Sequence, residues 1–363
     1  MKYKYKVCVY AISKNEELFV DKWFNSVKDA DYIVVLDTGS TDNTVDKLRK
    51  HGVYVVEKEI NPWRFDVARN ESLKLIPSDA DICICIDLDE ILLDNWRENL
   101  DKIWNNDITR LRYNYNWKLD ENNKPLVNFY IEKIHKNGGY KWIHPVHEVL
   151  EYDGIEKFCT TDLITVNHYP DNKKSRSNYL PLLELSVKEN PKDDRNMHYL
   201  GREYMYYGKW NLAIDTLIKH LNLPTATWKD ERCASQRFIS RCYIALNRYD
   251  EARMWLDKAI KEAPYLRDPY VERALLEYKL NNYSDVIKYC KDALKINEHP
   301  KTYINETFSF DSTIYDLLSI AYYYLDDLEN SNKYIDLALS MSNDDRLKNN
   351  KQIIMNKKNK ELK

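Results

Sequence analysis

Glycine is scarce in this chain, with seven residues in 363. None falls in Ser13-Lys14-Asn15-Glu16-Glu17, the segment that follows the first strand-like run, Val7 to Ile12. A backbone cradle for phosphates after a first strand needs glycine there. That absence argues against a nucleotidyltransferase with a Gly-rich loop. Cys-x-x-Cys pairs are also missing, and the cysteine count of seven is odd. Cys8, Cys83 and Cys85 sit inside apparent buried strands, where a thiol behaves as a small hydrophobe. A reduced, intracellular chain therefore fits better than a disulfide framework. No excess of positive charge exists: 55 Lys and Arg face 58 Asp and Glu, for a net charge of −3. That removes the bulk electrostatic case for nucleic acid. No apolar run approaches a membrane span. The N-terminus alternates Lys and Tyr before a short strand, unlike a signal peptide. The expected location is the cytoplasm.

What is present is length enough for two domains, and one concentrated stretch, Ile82-Cys83-Ile84-Cys85-Ile86-Asp87-Leu88-Asp89-Glu90. Five apolar residues, β-branched at alternate positions, read as a strand buried on both faces. Three carboxylates then follow within four residues, delivered to the carboxyl edge of the sheet, where open α/β sheets bind ligands. Asp87 and Asp89 can face a divalent metal and the phosphates or ribose of a nucleotide. An acidic loop that only caps the strand is the plainer alternative.

Further strands are expected at Val7 to Ile12, Tyr32 to Asp37 and Val53 to Val56, alternating with helical patterns. The first of those helices is expected to carry Leu18, Phe19, Trp23, Phe24 and Val27. Such alternation implies βαβ units and a parallel sheet. Asp37 ends its strand as Asp87 ends another, so both lie on one edge. Asp37 can accept from a nucleotide base or ribose, or it can be a turn aspartate ahead of Gly39-Ser40-Thr41.

Four segments in order and register carry a resemblance: Lys14-Asn15-Glu16-Glu17, Val35 to Thr44 with Asp37-Thr38-Gly39-Ser40-Thr41-Asp42, Phe65-Asp66-Val67-Ala68-Arg69-Asn70, and Ile86-Asp87-Leu88-Asp89-Glu90. Together they resemble family 2 glycosyltransferases of the GT-A fold, closely over the first ninety residues and loosely over the next eighty. The resemblance implies a nucleotide-diphosphate sugar donor, usually a UDP-sugar, with Mn²⁺ or Mg²⁺. It implies that Asp37 contacts the base, that Asp87 lies near the ribose and metal, and that Asp89 ligates the metal. Ile12, Asn15, Arg69 and Leu88 then line the donor, Ile12 and Asn15 partly through backbone groups. Arg69 could equally be a structural ion-pair residue. The leaving diphosphate gathers negative charge, which a hard cation with oxygen ligands stabilises. Inversion at the anomeric carbon is the expected outcome.

From Ile108 the pattern becomes period two, with Leu111, Tyr113, Tyr115, Trp117 and Leu119 alternating with Arg112, Asn114, Asn116 and Lys118. After a turn at 121–125, Val127 to Ile134 reads as a returning strand. Tyr140 to Leu150 holds His144, His147 and Glu148. A general base needs a proton acceptor suited to neutral pH, and His147 and Glu148 both qualify. Zinc at His144 and His147 is disfavoured by the intervening Pro145 and the missing third ligand. Leu163 to His168 is a strand ending in histidine. In the resembled family a late histidine completes the metal shell, which makes His168 the candidate here.

Past residue 172 nearly everything reads as helix. Tyr249-Asp250-Glu251-Ala252 and Tyr283-Ser284-Asp285-Val286 lie 34 residues apart, the tetratricopeptide period. Related segments at Trp210 and Leu328 are spaced with insertions, the second of them covering Glu298 to Asp311. Stacked helix pairs of this kind bury what one pair cannot. The expectation is thus an α/β GT-A (Rossmann-like) nucleotide-sugar domain over 1–172, followed by an all-α domain of tetratricopeptide (TPR) type over 173–363. The TPR surface is expected to take a glycan or polypeptide acceptor, a partner or a second copy of the chain. A catalytically inactive scaffold or peptide-binding protein is the competing reading.

Overall fold

A computed structural model describes residues 3–171 and 179–361. The chain forms two compact units, Met1–Glu189 and Asn190–Lys363. The expected boundary between 172 and 173 lies outside the described residues.

The first unit opens with β1 (Val7–Ser13), α1 (Val20–Val27), β2 (Tyr32–Asp37), α2 (Thr44–Lys50), β3 (Tyr54–Glu57), α3 (Phe65–Leu73) and β4 (Ile82–Cys85). It continues with β5 (Glu90–Leu92), α4 (Trp96–Ile103), β6 (Arg110–Leu119), β7 (Pro125–Lys136), β8 (Tyr140–Ile143), β9 (Val149–Tyr152), β10 (Phe158–His168) and α5 (Tyr179–Glu189). One eight-stranded sheet has the order β3-β2-β1-β4-β7-β6-β10-β5, and β8 pairs with β9 in a separate ribbon. The first four strands are parallel, as the βαβ alternation predicts. Beyond β4 the sheet is mixed. The five-residue turn between β6 and β7 makes an antiparallel hairpin, and β7 then pairs antiparallel with β4. Because β6 reverses direction again, β6 and β10 run the same way as β4. Leu18 does not join α1; it lies in the preceding turn and is 76% exposed.

Both faces of the sheet are covered. On one, Val9, Ala11, Ile82, Ile84 and Tyr113 pack against Trp23, Leu48 and Leu100 of the helices. On the other, Cys8, Tyr10, Cys83 and Cys85 pack beneath Trp142 and Leu150 of the ribbon. All seven cysteines are free thiols.

Beneath Trp142 lies a buried polar chain. Trp142 Nε1 donates to the Tyr10 hydroxyl at 3.1 Å, and that hydroxyl lies 2.9 Å from His135 Nε2. His135 Nδ1 lies 2.8 Å from the Lys136 carbonyl. A carbonyl can only accept, so Nδ1 carries the proton and Nε2 accepts from Tyr10. Neutral imidazole thus satisfies every partner.

The second unit contains α6 (Asp194–Tyr206), α7 (Trp210–Asn222), α8 (Lys229–Ala245), α9 (Tyr249–Glu262), α10 (Asp268–Lys279), α11 (Tyr283–Leu294), α12 (Thr313–Tyr324), α13 (Leu328–Met341) and α14 (Asp345–Glu361). Successive pairs are joined by the same device. Gly208, Asn247, Asn281 and Asp326 each adopt positive φ two residues before the second helix of a pair begins. Gly, Asn and Asp are the residues that tolerate the left-handed stop of a helix. The second insertion lies between α11 and α12 and includes a short 3₁₀ turn at Thr307–Ser309.

Two predictions follow from this packing. Burial pushes His135 down from 6.5 to about 4, against the opposing bond to Lys136. Between those values the unfolded chain holds a proton that the folded chain lacks, so stability falls as the pH falls, by about 3 kcal/mol in all. Urea unfolding as a function of pH should show this slope, and His135→Gln should flatten it. In the second unit, a Cβ on Gly201 would lie 2.5 Å from Leu217 Cγ and 3.2 Å from its backbone nitrogen. Gly201→Ala should therefore cost about 1–3 kcal/mol, read by far-UV circular dichroism during denaturation.

Candidate active site

The site forms where the parallel strands end. Ser13 and Asp37 are partners in the β1–β2 register. Asp37 is buried, and its carboxylate accepts from Ser13 Oγ at 2.8 Å, from the Gly39 and Ser40 amides at 3.0 and 2.8 Å, and from Ser40 Oγ at 2.5 Å. These four bonds match the turn-aspartate reading. Asn15, at positive φ, accepts from the Thr41 amide at 2.7 Å and donates its own amide to Ser40 Oγ at 2.8 Å. It thereby ties the loop after β1 to the loop after β2. Ile12 is half-buried near the end of β1.

After β4 the chain turns tightly. The Glu90 amide donates to the Asp87 carbonyl, and the Asp87 amide donates to Glu90 Oε2, both at 2.9 Å. Leu88 points into the main core. The chain then crosses the sheet edge to place β5 outside β10, and each acid meets a partner from a strand it passes. Lys133 of β7 donates to Asp87 at 3.1 Å and to Glu90 at 2.9 Å. Tyr115 of β6 donates its hydroxyl to Glu90 at 2.8 Å. His168, at the end of β10, brings Nε2 to 3.5 Å from Asp89 Oδ2. The register explains that last meeting: His168 faces Glu90 across β10 and β5, and the Tyr169 amide donates to the Asp89 carbonyl at 2.8 Å.

Arg69 closes the group from α3. Its guanidinium forms a fork on Asp87, and its Nε donates to Glu148 at 2.9 Å. Asn70, next along the helix, exchanges two bonds with the Trp142 backbone and so docks α3 on β8. Burial alone would raise the Asp87 pKa, but Arg69 and then Lys133 outweigh it and hold the carboxyl far below the usual range. Glu90 is pushed up by its burial, with Lys133 opposing. Burial lowers His168, but the Asp89 carboxylate overcomes it and the net shift is upward. His168 Nδ1 lies 3.2 Å from the Trp117 carbonyl, to which it can only donate, and the Trp117 ring stacks on the imidazole at 4.5 Å.

The expected residues thus divide. Asp87, Arg69 and Glu148 form one buried charge chain, and Asp89 and His168 a neighbouring pair. Asp87, expected near both ribose and metal, has both oxygens engaged by Arg69 and Lys133. His147 turns elsewhere: it adopts positive φ and sets its ring edge-on to Tyr179 of α5, centroids 5.8 Å apart. His144 also has positive φ, and no zinc-like grouping includes it among the described residues.

Lys133 escaped sequence reasoning, although a signal existed. Alternation in the sequence groups it with Phe129 and Ile131, both packed on the core, although a register shift between Ile131 and Ile134 breaks period two in the strand itself. A charge on an apolar face needs a buried partner.

Comparison with known proteins accords with this geometry. Residues 8–147 match the family model described as Glycosyl transferase family 2, and residues 238–265 match a tetratricopeptide repeat. The match to the family 2 glycosyltransferase model thus falls in the first unit, and the tetratricopeptide match in the second. Among curated proteins, the chain is 27% identical over 364 residues to the SPbeta prophage-derived glycosyltransferase SunS of Bacillus subtilis (strain 168). The match covers 94% of this chain and 82% of the relative, and glycosyltransferase SunS of Bacillus phage SPbeta matches equally. Among solved structures, the APC/C hetero-tetramer Cut9–Hcn1 is similar at 14% identity and TM-score 0.40, over 50% of this chain and 33% of that one. MamA is similar at 20% identity and TM-score 0.38, over 48% and 95%.

Removing one partner from a buried ion pair leaves an uncompensated charge. Arg69→Met should therefore cost about 3–5 kcal/mol. Arg49→Met, which breaks an exposed pair with Glu57, should cost less than about 1 kcal/mol. Parallel urea titrations of the two variants check the contrast.

Proposed function

We propose that the chain is a metal-dependent glycosyltransferase that moves a sugar from a nucleotide-diphosphate donor, a UDP-sugar in the first instance, to an acceptor with inversion. The observation that carries this reading is the 3.5 Å approach of Asp89 to His168, beside the ion-paired Asp87, on the edge where β1, β2 and β4 end. A half-buried carboxylate beside an imidazole whose Nδ1 is committed to a carbonyl fits a Mn²⁺ or Mg²⁺ site completed by diphosphate oxygens. Asp89 and His168 are the ligands in this reading. The cation, when bound, supplies positive charge against the departing diphosphate.

The chain's own residues do the rest. Asp87, held ionised by Arg69 and Lys133, fixes the loop that carries Asp89 and faces the ribose. Asn15 and Asp37 shape the two loops at the nucleotide end. Glu148 accepts from Arg69 through Oε1 only, so Oε2 is the atom that takes the acceptor proton. The acceptor oxygen or sulfur forms its bond to the anomeric carbon as the bond to the diphosphate oxygen breaks, and the electron pair leaves with the nucleotide. His147, facing Tyr179, positions the segment rather than touching the acceptor. The TPR unit takes the acceptor, and its repeat architecture favours a polypeptide.

Purified protein given a panel of nucleotide sugars with Mn²⁺ should release nucleotide from one of them. Chelator or Asp89→Ala should lower that rate about a hundredfold, and Glu148→Gln should lower turnover while leaving thermal stabilisation by UDP intact. Release that persists unchanged in chelator and in Asp89→Ala would refute the reading. Stabilisation by UDP with no turnover of any donor would point to the inactive scaffold.

A further inference from the structure

The second unit carries a cluster that the transferase reading does not use. Asp194 begins α6, His220 lies in the last turn of α7, and Glu231 in the first turn of α8. Their ligand atoms lie within 4.8 Å of one another. His220 is fully buried and Glu231 is 3% exposed. We propose that Asp194, His220 and Glu231 form a binding site for a divalent transition-metal ion that clamps α6, α7 and α8 together.

Two observations support it independently. The first is the donor set itself, one imidazole and two carboxylates, which suits ions of the Zn²⁺, Co²⁺ and Mn²⁺ class. Bonds of about 2.1 Å in a tetrahedral site place ligand atoms about 3.4 Å apart, so a pair at the 4.8 Å limit must close by about 1.4 Å on the ion, a movement within reach of carboxylate rotamers. The second is the imidazole's orientation. His220 Nε2 is buried without a hydrogen-bond partner, and it points at Glu231 Oε1, 3.4 Å away. A charge-assisted bond would be nearer about 2.8 Å.

The other side of the ring is fixed. Ser235 Oγ lies 2.9 Å from His220 Nδ1 and 2.7 Å from His198 Nδ1, and His198 Nε2 lies 2.8 Å from the Tyr303 hydroxyl. One neutral assignment satisfies every link. His220 Nδ1–H donates to Ser235, Ser235 donates to His198 Nδ1, and His198 Nε2–H donates to Tyr303. His220 Nε2 then presents a bare lone pair to two carboxylates, the arrangement a cation requires and the usual outer-shell support of a metal-bound histidine. Read in the reverse direction, the same chain puts the single proton of a neutral ring on Nε2, aimed at Glu231 Oε1 at 3.4 Å. Arg195 contributes positive charge near Glu231, but its Nε is buried without a partner, and its guanidinium lies over the Tyr199 ring at 4.9 Å.

The test uses the full chain carrying Asp89→Ala, without nucleotide, so that the site in the first unit does not contribute. After stripping with chelator, the protein is titrated with Co²⁺ and, separately, Zn²⁺. The expected result is about one equivalent of ion retained through gel filtration, a Co²⁺ visible spectrum of nitrogen and oxygen ligation, and a raised unfolding midpoint that chelator reverses. Adding Asp194→Asn or Glu231→Gln, from different helices, should abolish retention; either one that keeps its helical circular dichroism is sufficient. No retained ion in the Asp89→Ala chain overturns the proposal and leaves the Nε2–H tautomer of His220 facing Glu231. Retention that survives in a folded Glu231→Gln or Asp194→Asn chain overturns it equally.

Discussion

The guanidinium of Arg69 is the contact on which the first unit's site depends. It comes from α3, grips Asp87 at the end of β4 and reaches Glu148 in the segment before β9. Three stretches far apart in the chain are thereby held at one point. Lys133 brings in a fourth, β7, through the same Asp87 and through Glu90. Three carboxylates share two cations there, and burial makes each partner costly to lose. Burial opposes ionisation of Asp87, Arg69 and Lys133 alike, and their mutual attraction reverses that for each of them. The group therefore stands or falls as a unit, and the loop bearing Asp89 inherits its rigidity.

The second unit solves a different problem with similar means. Its helix pairs are apolar where they stack, as in the cluster of Met205, Ala213, Leu217, Phe238 and Ile239. Buried charged side chains between them are met by opposite charges. Arg237 is buried, and it is met by Glu272 at 2.6 Å and by Glu306 at 3.3 Å, the latter from the insertion before α12. Tyr303, from the same insertion, ends the histidine chain that runs through Ser235. The 45-residue spacing from Asn281 to Asp326, where the repeat period is lengthened, thus supplies partners for charges that a plain repeat would leave unsatisfied.

Much of this was readable from residue patterns, and the limits have physical causes. The strand ending in Asp37, and the one that closes two residues before Asp87, were legible because continuous apolar runs stop at acid. The repeats were legible because the stop between paired helices demands Gly, Asn or Asp. The pairing of Asp89 with His168 was expected only through resemblance, since no local pattern tells that β10 runs parallel to β4. That follows from two reversals, one at each edge of β7, and reversals are set by long-range pairing. Asn114 and Asn116 show a second limit. Alternation assigns them to a wet face, yet both are buried, and Asn116 is held between Asn167 and Asn128 by bonds of 2.7 Å. Alternation reports which face a residue takes, not whether that face is covered.

The division of labour between Asp87 and Asp89 follows from the same geometry. Both are half-buried and two residues apart, so composition and spacing treat them alike. Their partners do not. Asp87 meets a bidentate guanidinium and an ammonium, which together engage both its oxygens. Asp89 meets an imidazole that is itself held in place, its Nδ1 committed to the Trp117 carbonyl and its ring stacked on Trp117. Cationic partners on both oxygens anchor Asp87, whereas Asp89 is left with a titratable one. The two acids on either side of one hydrophobic residue thus take different partners, with Leu88 between them buried in the core.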